Sequence, residues 1–250
     1  MNDYLLGHDQ DEWARLTAQH AVWREGLLAC IGPVHGLRIV EVGCGGGDLL
    51  AELGPDAVGV ERDPLAVRRA RSRGLDVTEG DLEHVVFEGL DLVVARWVFS
   101  FLNNPEDVLE HLRSWLRPGG RLVIQDYDHS ALGIWPQRAE VLTVIQAFRQ
   151  AYAARGGDLW VAPKLPRMLL ATGFDDIQTH PEVKCGGPDS AVWRWVEDFL
   201  LGHIDTVRDD GHLTLAEHEV FVRAWHDARS TSGALLVSPV QLTVTARRSL

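Results

Sequence analysis

Apolar positions along this chain follow two different spacings. The first thirty residues place Trp13, Leu16, His20, Trp23 and Leu27 at helical intervals, and Gly32-Pro33 ends that stretch. Short apolar runs then alternate with amphipathic segments. The pattern predicts strands over 37–42, 57–61, 75–78, 90–95 and 121–125. It predicts helices over 48–53, 64–73 and 105–116. The run 90–95 is dense in aliphatic residues, as a strand buried on both faces should be. Pro105 suits a first helical turn, and Arg117-Pro118-Gly119-Gly120 reads as a tight turn. Strands alternating with helices imply a parallel, doubly wound sheet.

The rhythm changes after residue 130. Helices are expected over 137–154 and 165–171, the second stopping at Gly173. Two late strands, 177–184 and 236–246, bracket helices at 190–207 and 215–230. The fold class is therefore α/β: a doubly wound, mostly parallel seven-stranded sheet with a small helical cap.

Composition narrows the possible functions. A chain of 250 residues suits one sizeable domain with a small appendage. The formal net charge of −12 sets most of the surface against a phosphate backbone, so neither nucleic acid nor an anionic membrane is an expected partner. The arginine-rich stretch 62–73 is read as the solvated face of a helix. No apolar stretch reaches the length of a membrane span, and the N-terminus lacks a signal-peptide pattern, so a cytoplasmic location is expected. Cys30, Cys44 and Cys185 are widely spaced, which suits buried thiols. The 11 histidines include no HExxH, His203-Ile204-Asp205 reads as a surface or cap element, and no metal is expected. The sequence is silent on oligomeric state.

The first predicted strand ends in Glu41-Val42-Gly43-Cys44-Gly45-Gly46-Gly47-Asp48. Glycines admit positive φ and a close ligand, and a following helix would present its N–H groups to that ligand. The dinucleotide fingerprint GxGxxG requires a glycine where Asp48 stands. An acidic residue there would also repel a pyrophosphate. A ligand without phosphates escapes both objections.

The stretch 40–49, VEVGCGGGDL, resembles motif I of class I S-adenosyl-L-methionine (SAM)-dependent methyltransferases. Four further features agree in order and spacing over residues 37–126: Val60-Glu61-Arg62-Asp63, Gly80-Asp81-Leu82, Ala95-Arg96-Trp97-Val98 and Leu116-Arg117-Pro118-Gly119-Gly120. The resemblance implies SAM as cofactor. It places Glu41, Gly43, Cys44 and Gly45 in the glycine turn, Glu61 on the ribose hydroxyls with Arg62 beside it, and Asp81 on the adenine amine with Leu82 against the ring. Arg96 falls beside the methyl donor. Glu41 departs from the aspartate common in the family and keeps a carboxylate. Tyr4-Leu5-Leu6-Gly7-His8, with Glu12, Arg15-Leu16 and Gln19, resembles the N-terminal segment of a small-molecule branch, and 165–174 resembles its late helix. The implied division is an N-terminal helical lid at 1–35, a SAM-binding Rossmann-like core at 36–186, a helical cap insertion at 187–234 and a final core strand at 235–250.

Such a family implies in-line methyl transfer, catalysed largely by alignment and exclusion of water. A small-molecule acceptor is expected. Charge disfavours nucleic acid, and Tyr127, Trp135, Tyr152, Trp160, Trp193 and Trp195 supply aromatics for an apolar pocket. The alternative is a SAM-binding protein of the same fold that catalyses a non-methylating rearrangement. His129 is the candidate general base, with Asp126 as its catalytic neighbour, because both follow the fifth strand near the carboxyl end of the sheet. The same acidic cluster also suits a cationic acceptor amine. Tyr4 and Trp23 are expected to meet the sulfonium as the lid closes.

Overall fold

The computed structural model describes residues 10–249. Helix α1 (Gln10–Ile31) precedes strand β1 (Ile39–Val42), β2 (Val58–Glu61), helix α2 (Pro64–Ser72), β3 (Asp76–Glu79), β4 (Leu90–Arg96), α3 (Pro105–Trp115) and β5 (Leu116–Asp128). There follow β6 (Gly133–Trp135), α4 (Ala139–Ala154), α5 (Leu165–Ala171), β7 (Phe174–Glu182), β8 (Cys185–Gly186), α6 (Ala191–Asp209), α7 (Leu215–Ser230), β9 (Leu235–Val237) and β10 (Val240–Arg248). The main sheet has seven strands in the order β3-β2-β1-β4-β5-β10-β7. Only β10 runs against its neighbours. The expected mostly parallel seven-stranded sheet is therefore present, and the carboxyl ends of β1, β2 and β4 gather at one edge.

Local chemistry explains the helix starts. Asp63 caps α2 by accepting the Leu65 N–H at 2.6 Å, with Pro64 in the first turn. Thr214 and Glu217 form a capping box at α7. The strand expected at 236–246 is split in two. Pro239 has no N–H for a ladder, so β9 ends before it and joins β6 and β8 in a small sheet, while β10 returns to the main one. The turn at 117–120 is a bulge inside β5: Leu116 pairs with Leu90, and Arg121 with Leu92.

The helix expected at 48–53 is reduced to a single 3-10 turn, Leu50–Glu52. Glycines precede it and Gly54-Pro55 follows, which leaves too few residues to offset helix nucleation. The arginine stretch is solvated, as expected: Arg62, Arg68, Arg69, Arg71 and Arg73 are all exposed, and three of them still make specific contacts. Arg69 lies over the Trp13 ring at 5.2 Å. Arg71 donates to the Val77 carbonyl, and Arg73 to Asp48 and the Gly46 carbonyl.

The core has three apolar clusters. One packs β1, β4, β5 and β10 against α3 and α5, and another covers the opposite face with α1 and α2. The third joins α4, α6, α7 and the small sheet, so the cap draws on residues 132–152 as well as on 192–236. Among the described residues no helix is long and apolar enough to cross a membrane.

Candidate active site

A cavity of about 880 Å³ opens at the carboxyl edge of the sheet, bounded by α1, α2, the glycine turn and the cap. The turn after β1 forms one part of its lining. The Gly43 and Cys44 N–H groups both donate to the Val60 carbonyl, at 2.8 and 3.1 Å, which folds the turn back onto β2. Gly43 and Gly45 have φ of +63° and +52°. A Cβ on Gly43 would sit 2.5 Å from Val98 Cγ2, whereas one on Gly45 would meet open space, namely the cavity. Asp48 does not add a free charge here, since Thr17 and Arg73 both donate to it.

Glu61, at the end of β2, accepts three backbone N–H groups. Gly45 binds Oε2 at 2.9 Å, and Arg62 and Asp63 bind Oε1 at 2.8 and 2.9 Å. Its carboxylate also lines the cavity, as do Arg62, Asp81 and Leu82. Asp81 accepts the Glu83 N–H at 3.1 Å and lies 3.9 Å from Arg62.

Glu41 and Arg96 are both buried and both line the cavity. Burial pushes the Glu41 carboxyl up to about 8 and brings Arg96 down to about 10. Cys44 sits in the same turn, and burial raises its thiol far above the usual range, so it is no nucleophile.

The end lined by Trp97, Tyr127 and Trp195 is aromatic. Trp97, Tyr127 and Trp195 form a column: Trp97 stacks on Tyr127 at 6.0 Å and Tyr127 on Trp195 at 6.3 Å. Arg96 lies over Trp97 at 4.0 Å, and the Trp97 indole N–H donates to Gln241 at 2.8 Å. Trp97 also has a φ of +56°, an unusual conformation for a bulky residue. His129 borders this wall, with ring centroids 5.2 Å from Tyr127, 5.8 Å from Trp160 and 6.1 Å from Phe199. Burial holds its imidazole down at about 4, with Asp128 opposing the shift, so it is neutral near pH 7. Its Nε2 has no hydrogen-bond partner among the described residues.

Two expected site residues stand elsewhere. Asp126 is fully buried but does not line the cavity. Its oxygens accept the Ser100 and Tyr127 N–H groups at 3.1 and 2.9 Å, pinning the turn after β4 to the end of β5. Trp23 is fully buried in the cap cluster, edge-on to Trp195 at 5.3 Å, because its position on α1 faces the cap rather than the cavity. Tyr4 lies outside the described residues. His203, expected in a surface or cap element, lies on cap helix α6, where it is buried and its Nδ1 hydrogen-bonds the Phe199 carbonyl at 2.7 Å.

Three polar residues of α1 reach the cavity without having been singled out individually. Arg15 pairs in bidentate fashion with Glu12, both contacts at 2.6 Å, and donates to Gln19 at 2.7 Å. Gln19 in turn donates to the Tyr127 hydroxyl. Their i, i+3 and i+4 spacing on the buried side of an otherwise apolar helix face is the signal that marks them.

A methyltransferase-domain family profile matches residues 10–179, more than half of the chain. The chain belongs to the class I SAM-dependent methyltransferase family. It is 28% identical over 241 residues to the mitochondrial ubiquinone biosynthesis O-methyltransferase of Rattus norvegicus, covering 87% of this chain and 65% of that protein. It is 28% identical over 179 residues to the carboxy-S-adenosyl-L-methionine synthase of Chromohalobacter salexigens, covering 63% of this chain and 64% of that one. The chain thus spans slightly under two thirds of the length of these relatives. Its fold matches a SAM-dependent methyltransferase of Thermotoga maritima, described as a possible histamine N-methyltransferase, with a TM-score of 0.58 at 17% identity, covering 96% and 95% of the two chains.

The residues lining the cavity fit SAM. The space above Gly45 takes a ligand without displacing a side chain. Two fully buried wall atoms, Glu41 Oε2 and Arg96 Nη1, lack partners among the described residues, as receptors for a polar ligand would.

Proposed function

We propose that this chain transfers a methyl group from SAM to the hydroxyl of a small aromatic acceptor by in-line displacement. SAM supplies an electrophilic methyl on a sulfonium sulfur. Glu61 receives the ribose hydroxyls, with Arg62 at the rim. Asp81 and Leu82 hold the adenine, and Gly43, Cys44 and Gly45 let the ligand approach the backbone. The acceptor lies against the Tyr127 and Trp195 rings, where water is excluded.

One observation carries this reading: a neutral imidazole with an unpartnered Nε2 borders an aromatic chamber. A neutral nitrogen accepts a hydrogen bond from an acceptor O–H and orients the oxygen's lone pair toward the methyl. As the C–O bond forms, the oxygen loses its hold on the proton, and His129 takes it before passing it to solvent. Asp126 acts at one remove, through the turn it pins. Glu12 and Arg15 line the cavity paired with each other, and the Arg96 guanidinium lies over Trp97, so an uncharged acceptor fits better than a cationic amine. The names of the O-methyltransferase relatives support the same reaction class.

The proposal includes a division of labour. Residues 1–35 serve as lid, 36–186 as SAM-binding core, 187–234 as cap and 235–250 as the closing strand. Partners are small molecules rather than nucleic acid or membranes, in the cytoplasm, in keeping with the net charge of −12.

The test is product analysis by mass spectrometry after incubation with SAM and a panel of phenols, catechols and aromatic amines. Methyl ethers are expected. Methylation confined to amines would remove the hydroxyl assignment. Turnover without any methylated product would favour the non-methylating rearrangement.

A further inference from the structure

His129 Nε2 is out of reach of solvent and has no hydrogen-bond partner among the described residues. Three rings crowd the imidazole: Tyr127, Trp160 and Phe199. Tyr127 and Phe199 line the cavity, so an acceptor in the chamber meets them. Trp160, expected among the pocket aromatics, does not line it and packs on His129 from outside the chamber. The chain fixes it there. The Asp158 N–H donates to the Ser100 carbonyl at 2.8 Å, which ties the segment between α4 and α5 to the turn after β4. Gly157 permits that approach, since a Cβ there would stand 2.5 Å from the Ser100 carbonyl oxygen. The Trp160 N–H donates to Asp158 Oδ1 at 2.9 Å. Arg149 of α4 lays its guanidinium over the indole, 4.6 Å from the ring centroid.

The charged groups around the imidazole are mostly engaged elsewhere. Asp128 is its neighbour in the chain and favours the protonated form. Asp126 is bound by the Ser100 and Tyr127 N–H groups. From α6, His203 stands behind Phe199, with ring centroids 5.6 Å apart. From α1, Arg15 lies over the same ring at 5.9 Å and is paired with Glu12. On the outer side Asp158 is paired with Lys164, and Arg149 lies beyond Trp160. Exclusion of water is therefore the larger influence on His129. Trp160 is the part of that exclusion that no acceptor supplies.

We propose that Trp160 is a positioning residue for methyl transfer: held by Arg149, it keeps bulk water off His129, so that the imidazole's partner is the acceptor hydroxyl. The inference rests on reading His129 as the group that takes the acceptor's proton, and Trp160 acts through His129 alone. Water on the ring nitrogen would compete with the acceptor O–H for the lone pair. It would also solvate the imidazolium and so favour it.

The experiment follows His129 by NMR of 13C-labelled histidine, its signal assigned by its loss in His129→Gln. In wild type the imidazole is expected to stay neutral down to about pH 5. Trp160→Ala should raise its midpoint toward the ordinary value of about 6.5, because hydration returns to the charged form. Arg149, left nearer, is exposed, and its charge is screened. For methyl transfer to a phenol, kcat/KM of Trp160→Ala should then gain an acidic limb, falling about tenfold from pH 8 to pH 5.5, one unit below that midpoint. Trp160→Phe, which keeps a ring in place, should restore the flat profile. Arg149→Gln should move the midpoint the same way by less. If Trp160→Ala fails to fold, Trp160→Leu replaces it, with the same upward shift expected. A midpoint unmoved in these variants, or a loss of rate equal at every pH, would overturn the proposal and make Trp160 a packing residue only. Failure of the base reading is distinct: His129→Gln would then turn over at the wild-type rate, whatever Trp160→Ala does to the midpoint.

Discussion

Glu61 Oε2 accepts the N–H of Gly45 at 2.9 Å, across a separation of 16 residues, so the carboxylate that faces the cavity also holds the glycine turn in place. Its role is double. Glu61→Ala is expected to weaken SAM by about 1.5–3 kcal/mol, the scale of a lost charged hydrogen-bond partner. The apo protein should also lose stability, since three backbone N–H groups lose their acceptor. Calorimetry with S-adenosylhomocysteine and thermal unfolding of the apo protein measure the two effects separately. Unchanged affinity in a folded variant would take Glu61 out of the binding site.

Gly43 and Gly45 separate structure from binding. Both have positive φ, so alanine at either costs about 1–2 kcal/mol in backbone strain. Only at Gly43 does the new Cβ also collide with Val98, at 2.5 Å. Gly43→Ala is therefore expected to lower the apo Tm more than Gly45→Ala does. Gly45→Ala should instead abolish most of the Tm gain on adding S-adenosylhomocysteine, because its Cβ enters the ligand space. Scanning fluorimetry with and without ligand reads both. A Gly45→Ala protein with a normal ligand-induced shift would move the ligand off the turn.

The glycine turn, the Glu61 position and the alternation of strands and helices were legible in the sequence because each depends on local chemistry. Asp126 was not. Its place after the fifth strand fitted a catalytic role, but its direction is set by the Ser100 N–H, 26 residues away in the chain. Trp23 was misplaced for a related reason. Helical spacing gives a residue's face but not what that face meets, and here it meets Trp195 of the cap. The 3-10 turn at Leu50–Glu52 was over-read because a helical pattern was assumed where Gly54-Pro55 stops the chain early. The polar path Glu12–Arg15–Gln19–Tyr127 joins α1 to the end of β5, and no local pattern announces such a partner.

Glu41 makes folding itself depend on pH. Its pKa is raised from an ordinary carboxyl value to about 8 in the folded protein. Between about 4.5 and 8 the native state keeps a proton that the unfolded chain has lost, so this group lowers stability as pH rises through that window. Above 8 both states are deprotonated and the contribution is constant. Glu41→Gln removes this titration. Its stability relative to wild type is expected to grow from about pH 5 to about pH 8 and to stay flat above. Denaturant unfolding across that range measures it. A constant difference between the two proteins would mean that Glu41 titrates normally.

His129 sets the chemistry of the acceptor end. Burial holds the imidazole at about 4, so its protonated form is reached only in acid. Its lone pair is thus available throughout the physiological range, and kcat/KM should show no His129 limb between about pH 5.5 and 8. For folding the sign is the reverse of that at Glu41. The folded value lies below the ordinary 6.5, so His129 contributes stability above 6.5 that is lost as pH falls toward 4. A buried imidazole of low basicity is a modest base. Its contribution comes from position: an acceptor O–H aligned on Nε2 gives up its proton only as the C–O bond forms. His129→Gln keeps an amide of similar reach but no nitrogen able to take a proton, and is expected to lower kcat by about 10²-fold or more. KM should change less, and S-adenosylhomocysteine affinity should stay as in wild type. The discriminating substrates are phenols of falling pKa. If His129 takes the proton, the deficit of His129→Gln shrinks as the phenol becomes more acidic, because an acceptor that is already an anion needs no base. A deficit that is the same for every phenol would assign His129 to shaping the pocket instead.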